Sequence, residues 1–376
     1  MAYQYVQLVA YEAPTKALMG MLPKPSEPWD QPGWRTKWTE LLRKLGDGKE
    51  HDKEENYDAQ NRIHRFLSVL NWAVESIPHD QIDRPAVSHP LQQSKTLKVF
   101  MAPEFYFRPT DTGYSRDTLF NILECLKLCT HDDWRLNDWL IVPGTICSHQ
   151  VPQPNSAYAN EGKPTFLNTA CIIEGGINGG MTYVHKLGKS DQDRVPISDA
   201  TEDPNFKYLL GSWEEQKKRL FTFGGITFGL EVCLDHEKRA LKETLINWRK
   251  KEHNDAPPVD VHLITSCGLD IRQENYAARV GGCVLWCDGL GDGTPSEPHS
   301  AAIELEVLDP EKVRNPFETL PLVDPTFKVE PRKLSERSRG KVPNQFHIEG
   351  HESTKYWFAP EVVVYEPVEL FKENQV

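Results

Sequence analysis

The 376-residue chain has no apolar run near the roughly 20 residues that a membrane-crossing helix requires. Its N-terminus, MAYQYVQLVAYEAP, has no basic segment ahead of the apolar residues and interrupts them with Gln4 and Gln7. It is therefore expected to be a first strand and not a secretory signal. Basic clusters are equally scarce, and none exceeds the three residues of Lys217-Lys218-Arg219 or Arg249-Lys250-Lys251. With 55 acids against 43 lysines and arginines the formal charge is −12, whereas duplex nucleic acid or an anionic membrane would favour a basic surface. Neither is expected as a partner, and both basic triplets read as solvated faces. Glycine (24) and proline (28) stay near their usual share, which excludes collagen-like and low-complexity classes. No C-x2-C pair and no internal repeat occurs. The eight cysteines, without a signal peptide, predict mostly free thiols in a reducing, cytoplasmic setting. The Cys125/Cys129 and Cys283/Cys287 pairs lack the tight, repeated spacing of a zinc site, so buried core thiols and no metal are expected.

What is present is core material: 39% hydrophobic residues and ten tryptophans. Strand-like and helix-like blocks alternate along the chain. Strands are predicted over 3–11, 97–102, 139–142 and 259–266, and again over 283–288, 301–308 and 355–365. Hairpins are expected at 168–174/181–185, across a glycine-rich turn, and at 220–222/226–232 around Gly224-Gly225. Helical spacing marks Ile63 to Ile77 (stopped by Pro78), about 116–129, a helix after Cys233 bearing Ala240, Leu241, Leu245 and Trp248, and 272–279. The pattern predicts an α/β fold of layered sheets covered by helices. No clean domain boundary is visible. Residues 22–60, with four early prolines and a charge-rich run, and 291–343, with eight prolines, read as insertions in one domain.

Three residues carry possible chemistry. Cys233 closes the strand GITFGLEV and precedes a helix opening at Leu234-Asp235-His236. A thiol at such a turn meets the positive end of the helix, which would lower its pKa, and the backbone N–H groups after it can face an oxyanion. Glu104 follows the apolar strand KVFMAP and precedes Phe105, Tyr106 and Phe107. A carboxylate in such surroundings is costly to bury unless paired, and desolvation suits it to general base work. Lys186 ends the strand at Met181–His185, with His185 pointing to the opposite face.

The order Glu, Lys, Cys at three strand ends resembles the nitrilase (carbon–nitrogen hydrolase) superfamily. The resemblance is carried by 98-KVFMAPEFYF, 166-FLNTACIIEGG, 181-MTYVHKLGKSD and 224-GGITFGLEVCLDH, with echoes in 260-DVHLITS and 273-QENYAARVGGCVLWCDGLGDG. It implies an α-β-β-α sandwich, commonly paired through helices into a homodimer or higher homo-oligomer, and no cofactor. It further implies a catalytic triad of Glu104, Lys186 and Cys233 that hydrolyses a non-peptide C–N bond through a thioester. The Leu234 N–H would join Lys186 at the oxyanion. Family members often carry a second carboxylate between the lysine and the cysteine. Of Asp191, Asp193, Asp199, Glu202, Asp203 and Glu214, Glu202 fits best, because it precedes an aromatic-then-glycine step (Phe206 to Gly211).

Departures from the family pattern shape the substrate expectation. Glu231, two residues before Cys233 and on the same face by strand alternation, either recognises a cationic group or pairs with a structural arginine. His236 replaces the arginine or aromatic usual there. It would read substrate, cap the helix or, less favoured, form a Cys233/His236 dyad. Tyr106 and Ser266 complete the substrate-binding candidates. Leu234 stands where nitrile hydrolases tend to carry tryptophan, which tilts the expected substrate from a nitrile to a small amide or carbamoyl compound. The rival from another class is a catalytically silent binding protein on the same fold.

Overall fold

The computed structural model describes residues 3–15, 53–76, 96–109, 113–131, 133–150, 165–177, 179–187, 213–253, 256–289, 300–307, 329–342 and 360–370. The first half supplies β1 (Tyr5–Glu12), α1 (Lys53–Ser76), β2 (Thr96–Met101), β3 (Tyr114–Ser115), α2 (Arg116–His131), β4 (Trp139–Val142), β5 (Thr145–Gln150), β6 (Thr165–Glu174) and β7 (Met181–His185). The second supplies α3 (Trp213–Lys217), β8 (Leu220–Phe223), β9 (Ile226–Val232), α4 (Leu234–Glu237), α5 (Ala240–Glu252), β10 (Val261–Ser266) and β11 (Cys283–Asp288). It closes with β12 (Ser300–Val307), β13 (Val329–Lys333), β14 (Glu336–Lys341), β15 (Glu361–Tyr365) and β16 (Val368–Glu369).

These strands form two sheets. The larger runs β14-β15-β1-β2-β4-β6-β5-β3, with β7 beside β6 and β16 beside β1, and the smaller runs β13-β12-β11-β10-β9-β8. Strand alternation divides the side chains between layers. On β1, Val6, Leu8 and Ala10 face the core between the sheets. Val9 and Tyr11 face the other way, against Ile63, Phe66 and Leu70 of α1 and Ile122 and Leu126 of α2. On the smaller sheet, Leu230, Leu263 and Leu285 point inward. Ile264, Val284 and Trp286 pack outward with Leu241 and Leu245 of α5. The architecture is an α-β-β-α sandwich in which each central strand is buried on both faces, the usual condition of parallel strands. Both sheet centres are parallel, β1–β2–β4 in one and β9–β10–β11 in the other.

Several expectations need correction. The helix expected from Ile63 begins earlier, at Lys53, and in its first turns buried Asp58 accepts from buried Arg62 at 2.8 Å one turn on. In 291–343 the strand near 301–308 is present, but β13 and β14 extend the two sheets as further strands. The expected helix at 272–279 is only a short 3-10 turn, Gln273–Asn275. Its backbone donors go to distant acceptors: Ala277 N–H to His262 Nδ1 at 3.2 Å and Arg279 N–H to the Val259 carbonyl at 2.7 Å. The Lys217-Lys218-Arg219 triplet is not one solvated face, because Arg219 is fully buried. All eight cysteines are buried thiols, and none is in a disulfide.

Candidate active site

Three strand ends converge. Beyond β2, the Ala102 carbonyl accepts from the Thr265 hydroxyl at 3.0 Å, and the Glu104 N–H donates to the Ser266 carbonyl at 3.2 Å. The Cys233 N–H donates to the Thr265 carbonyl at 2.9 Å. Residues 265–266 thus tie the carboxylate from the larger sheet to the thiol from the smaller one. Lys186, just past β7, is set by its own N–H on the Asn168 carbonyl at 2.8 Å.

The side chains meet where these ties predict. Glu104 is fully buried, and its Oε1 accepts from Lys186 Nζ at 2.8 Å and from Asn168 Nδ2 at 2.9 Å. The Cys233 thiol interacts with the Glu104 carboxylate and with the backbone of Cys267. The Lys186 ammonium also lies 5.5 Å from the centre of the Phe105 ring, whose other cation is Arg108 at 4.8 Å.

The backbone is strained on both sides of this cluster. Cys233 adopts φ 48° and ψ −110°, and Phe105 adopts φ 64°. Such residues cost on the order of 1–3 kcal/mol each, and they persist only where their surroundings over-determine them. Phe105 is held by its N–H on the Thr145 hydroxyl at 2.8 Å. Gly144 is needed beside it, since a Cβ there would lie 2.2 Å from the Pro103 carbonyl oxygen. The turn at Cys233 is held by Asp235, whose Oδ2 accepts from buried Arg219 at 2.9 Å and whose Oδ1 accepts the Leu187 N–H at 2.9 Å. Asp235 therefore docks the residue after Lys186 against the turn that carries the thiol.

The thiol's acidity runs against the expectation from the helix end. Burial, and next the Glu104 carboxylate, push the Cys233 thiol well above its ordinary range, with Lys186 acting in the opposite direction. Helix α4 is a single turn of four residues, too short for its dipole to compete. Leu234 is its first residue, so its N–H has no acceptor within the helix.

The other candidates lie elsewhere. Cys233 packs in the inter-sheet core with Leu230 and Val232, because its positive φ breaks the alternation that would have put it with Glu231. Glu231 points to the outer layer and is fully buried. Its Oε2 accepts from His236 Nδ1 at 2.8 Å and His262 Nε2 at 2.9 Å, and its Oε1 from the Leu241 N–H at 2.7 Å. Its partners are imidazoles, not an arginine, and they hold its pKa down at about 2 despite burial. Both ring nitrogens of His236 are engaged, the second with the Arg272 backbone at 3.2 Å, so a Cys233/His236 dyad is not formed. Tyr106 is buried on the helix side, its hydroxyl 3.4 Å from the Arg62 carbonyl. The Ser266 hydroxyl is committed to Asp288 and to Trp286 Nε1, the latter at 2.7 Å. Glu202 lies outside the described residues. Asn168 and Asp235 are not among the candidates singled out from the sequence; their signals are the N-T of FLNTACIIEGG and the aspartate two residues after the cysteine.

Glu231, His236 and His262 are the one cluster of potential metal ligands among the described residues. Its hydrogen bonds close without an ion. Each imidazole donates once to Glu231; the other nitrogen of His262 accepts the Ala277 N–H, and that of His236 lies 3.2 Å from both the N–H and the carbonyl oxygen of Arg272.

No protein-family model matches the chain, and no curated protein matches it either. Solved structures do. Nit3 from Saccharomyces cerevisiae, a member of branch 10 of the nitrilase superfamily, is similar over 81% of this chain and 83% of its own, at 11% identity and a TM-score of 0.36. An amidase from Nesterenkonia sp. is similar over 81% and 83%, at 12% identity and a TM-score of 0.32. A mutant of the amidase from Nesterenkonia sp. AN1, in complex with butyramide, is similar over 76% and 77%, at 10% identity and a TM-score of 0.31. Members of the nitrilase superfamily are thus among the solved structures to which this chain is similar.

Proposed function

We propose that the protein is a cysteine-dependent hydrolase of a non-peptide C–N bond, in one carbon–nitrogen hydrolase domain, acting on a small amide or carbamoyl compound. The observation that carries this reading is the buried Glu104 carboxylate, which is paired with Lys186 at 2.8 Å and acts electrostatically on the thiol of a residue held at positive φ. A structural ion pair has no use for a strained thiol beside it, whereas acyl transfer needs a nucleophile, a base and a fixed positive charge together.

In this mechanism the thiol enters protonated, as its raised pKa requires. As Sγ attacks the carbonyl carbon, Glu104 takes the thiol proton. The developing oxyanion is held by the Lys186 ammonium and the Leu234 N–H. Collapse breaks the C–N bond, and Glu104 delivers the proton to the departing ammonia or amine. Water then attacks the thioester, giving a proton to Glu104, and the acid leaves as that proton returns to sulfur. Asn168, on the same carboxylate oxygen as Lys186, keeps Glu104 oriented through both halves.

The test is iodoacetamide labelling with peptide mapping, run beside ammonia release from a panel of amides, carbamoyl compounds and nitriles. Selective alkylation of Cys233 over the seven other thiols, with turnover lost in Cys233→Ala, is the expected result. Uniform slow labelling without release of ammonia from any substrate would favour a binding protein instead. Release from nitriles alone would move the substrate class to nitriles on the same triad.

A further inference from the structure

The two departures from the family pattern, Glu231 and His236, lie in one buried cluster with His262. We infer that Glu231, His236 and His262 form a hydrogen-bonded relay that positions Cys233 by locking the turn carrying it to the strand beside it and to residues 272–277. The inference rests on the reading of Cys233 as nucleophile.

Every link of the relay is a hydrogen bond of ordinary length, and each joins a different element. Glu231 sits on β9, two residues before Cys233, and His236 on α4, three residues after it. The carboxylate of Glu231 therefore staples the two sides of the turn through the 2.8 Å bond to His236 Nδ1. Its 2.9 Å bond to His262 Nε2 ties the staple to β10, whose Thr265 carbonyl receives the Cys233 N–H. Its 2.7 Å bond from the Leu241 N–H fixes the start of α5. The two rings then pass the constraint outward to the backbone N–H groups of Arg272 and Ala277. The Asn275 amide closes the loop by donating to the His236 carbonyl at 2.9 Å.

His262 donates from Nε2, since its Nδ1 faces the Ala277 N–H, and His236 donates from Nδ1 to the Glu231 carboxylate, while its Nε2 lies 3.2 Å from both the N–H and the carbonyl oxygen of Arg272. A glutamine at 231 cannot serve the same partners. Its single carbonyl oxygen cannot receive three donors placed around two oxygens, and its amide would oppose a ring N–H. A strained backbone survives only while its neighbours over-determine it, so loosening the relay lets Cys233 relax out of the attack conformation.

The test compares Glu231→Gln and His236→Asn with the unsubstituted full chain. His236→Asn keeps a donor near the Nδ1 position and cuts only the link to Arg272, so it remains informative if Glu231→Gln does not fold. Amide hydrolysis and the iodoacetamide rate at Cys233 are read well below each variant's melting temperature. The expected result is a kcat lower by about 10–100-fold with KM within about threefold, matched by slower alkylation, as for a catalytic group moved by a fraction of an ångström. The effect should be smaller in His236→Asn. A variant with a lowered Tm but unaltered kcat and alkylation rate would assign the cluster to stability alone and overturn the inference. Stoichiometric zinc found by elemental analysis of the purified protein would overturn it in favour of a metal site. If Cys233 of the unsubstituted chain is not selectively alkylated and no substrate is hydrolysed, the reading of the nucleophile falls, and the relay's role with it.

Discussion

Two buried carboxylates flank Cys233, and they are opposites. Glu104 approaches from the larger sheet and faces an ammonium, an amide and a thiol, so its surroundings contain a proton that can move and a charge to steady the movement. Glu231 approaches from behind, on the thiol's own strand, and faces three donors whose geometry is closed, so nothing around it is poised to react. Burial is complete at both. Burial alone therefore does not mark a catalytic carboxylate. The mark is what the partners leave undone.

The sharpest way to break this contrast is at the reactive side. Cys233→Ala should remove turnover, a fall of about 10⁴-fold or more, and Glu104→Gln should come close to it, because members of such a unit are non-additive. Steady-state ammonia release measures both, and an acyl-enzyme trapped in Glu104→Gln would be visible by mass. Next, Lys186→Met should lower kcat by about 10²–10³-fold, as loss of one oxyanion donor does. A fall confined to KM would show that the ammonium only binds substrate.

At the closed side the expected effect is on pH-dependent stability. The folded-state pKa of Glu231 is about 2 against an ordinary 4.5. A depressed carboxylate contributes stability that is present above the ordinary value and lost as pH falls through the folded one. The shift corresponds to on the order of 3 kcal/mol. Urea unfolding of the unsubstituted protein and Glu231→Gln at pH 7, 4.5 and 3 should therefore give a difference that shrinks in acid. Burial also lowers the pKa of His262, which adds acid sensitivity of the same sign below about pH 6.5. The smallest expected effect lies outside both regions. Tyr106→Phe removes a hydroxyl 3.4 Å from the Arg62 carbonyl and should cost less than about 1 kcal/mol, with KM unmoved. A raised KM would return Tyr106 to the substrate pocket.

The legible parts of the sequence were those set by short-range rules. Apolar strand runs and helical periodicity located most of the central strands and both large helices. Chain order and strand ends singled out Glu104, Lys186 and Cys233, which the fold brings together. What escaped depends on distant partners. Strand β14 is largely exposed and carries charges at Glu336, Arg337, Arg339 and Lys341, so no alternation marks it, and its pairing with β15 decides its conformation. The 272–279 segment has helical spacing, but His262 and Val259 capture its N–H groups from elsewhere. Asp58 ends a charge-rich run in the sequence, yet it is buried, and its partner is the buried Arg62 one turn on. For Glu231, alternation was right along the strand and failed at Cys233, where the backbone turns to positive φ. That turn is invisible to any rule based on period two.

The tie through residues 265–266 also bears on how the molecule comes into being. Glu104 and Lys186 belong to one sheet and Cys233 to the other, so neither sheet carries the full set of reacting groups. Glu104 and Lys186 are already 82 residues apart in sequence, and the thiol joins them only when the Ala102 and Ser266 carbonyls find their donors across the interface. Contacts this remote in sequence form late and slowly. The return of activity after dilution from denaturant should therefore lag the recovery of strand and helix signals and time the docking of the two sheets. Catalysis would then serve as a clock for the last step of folding.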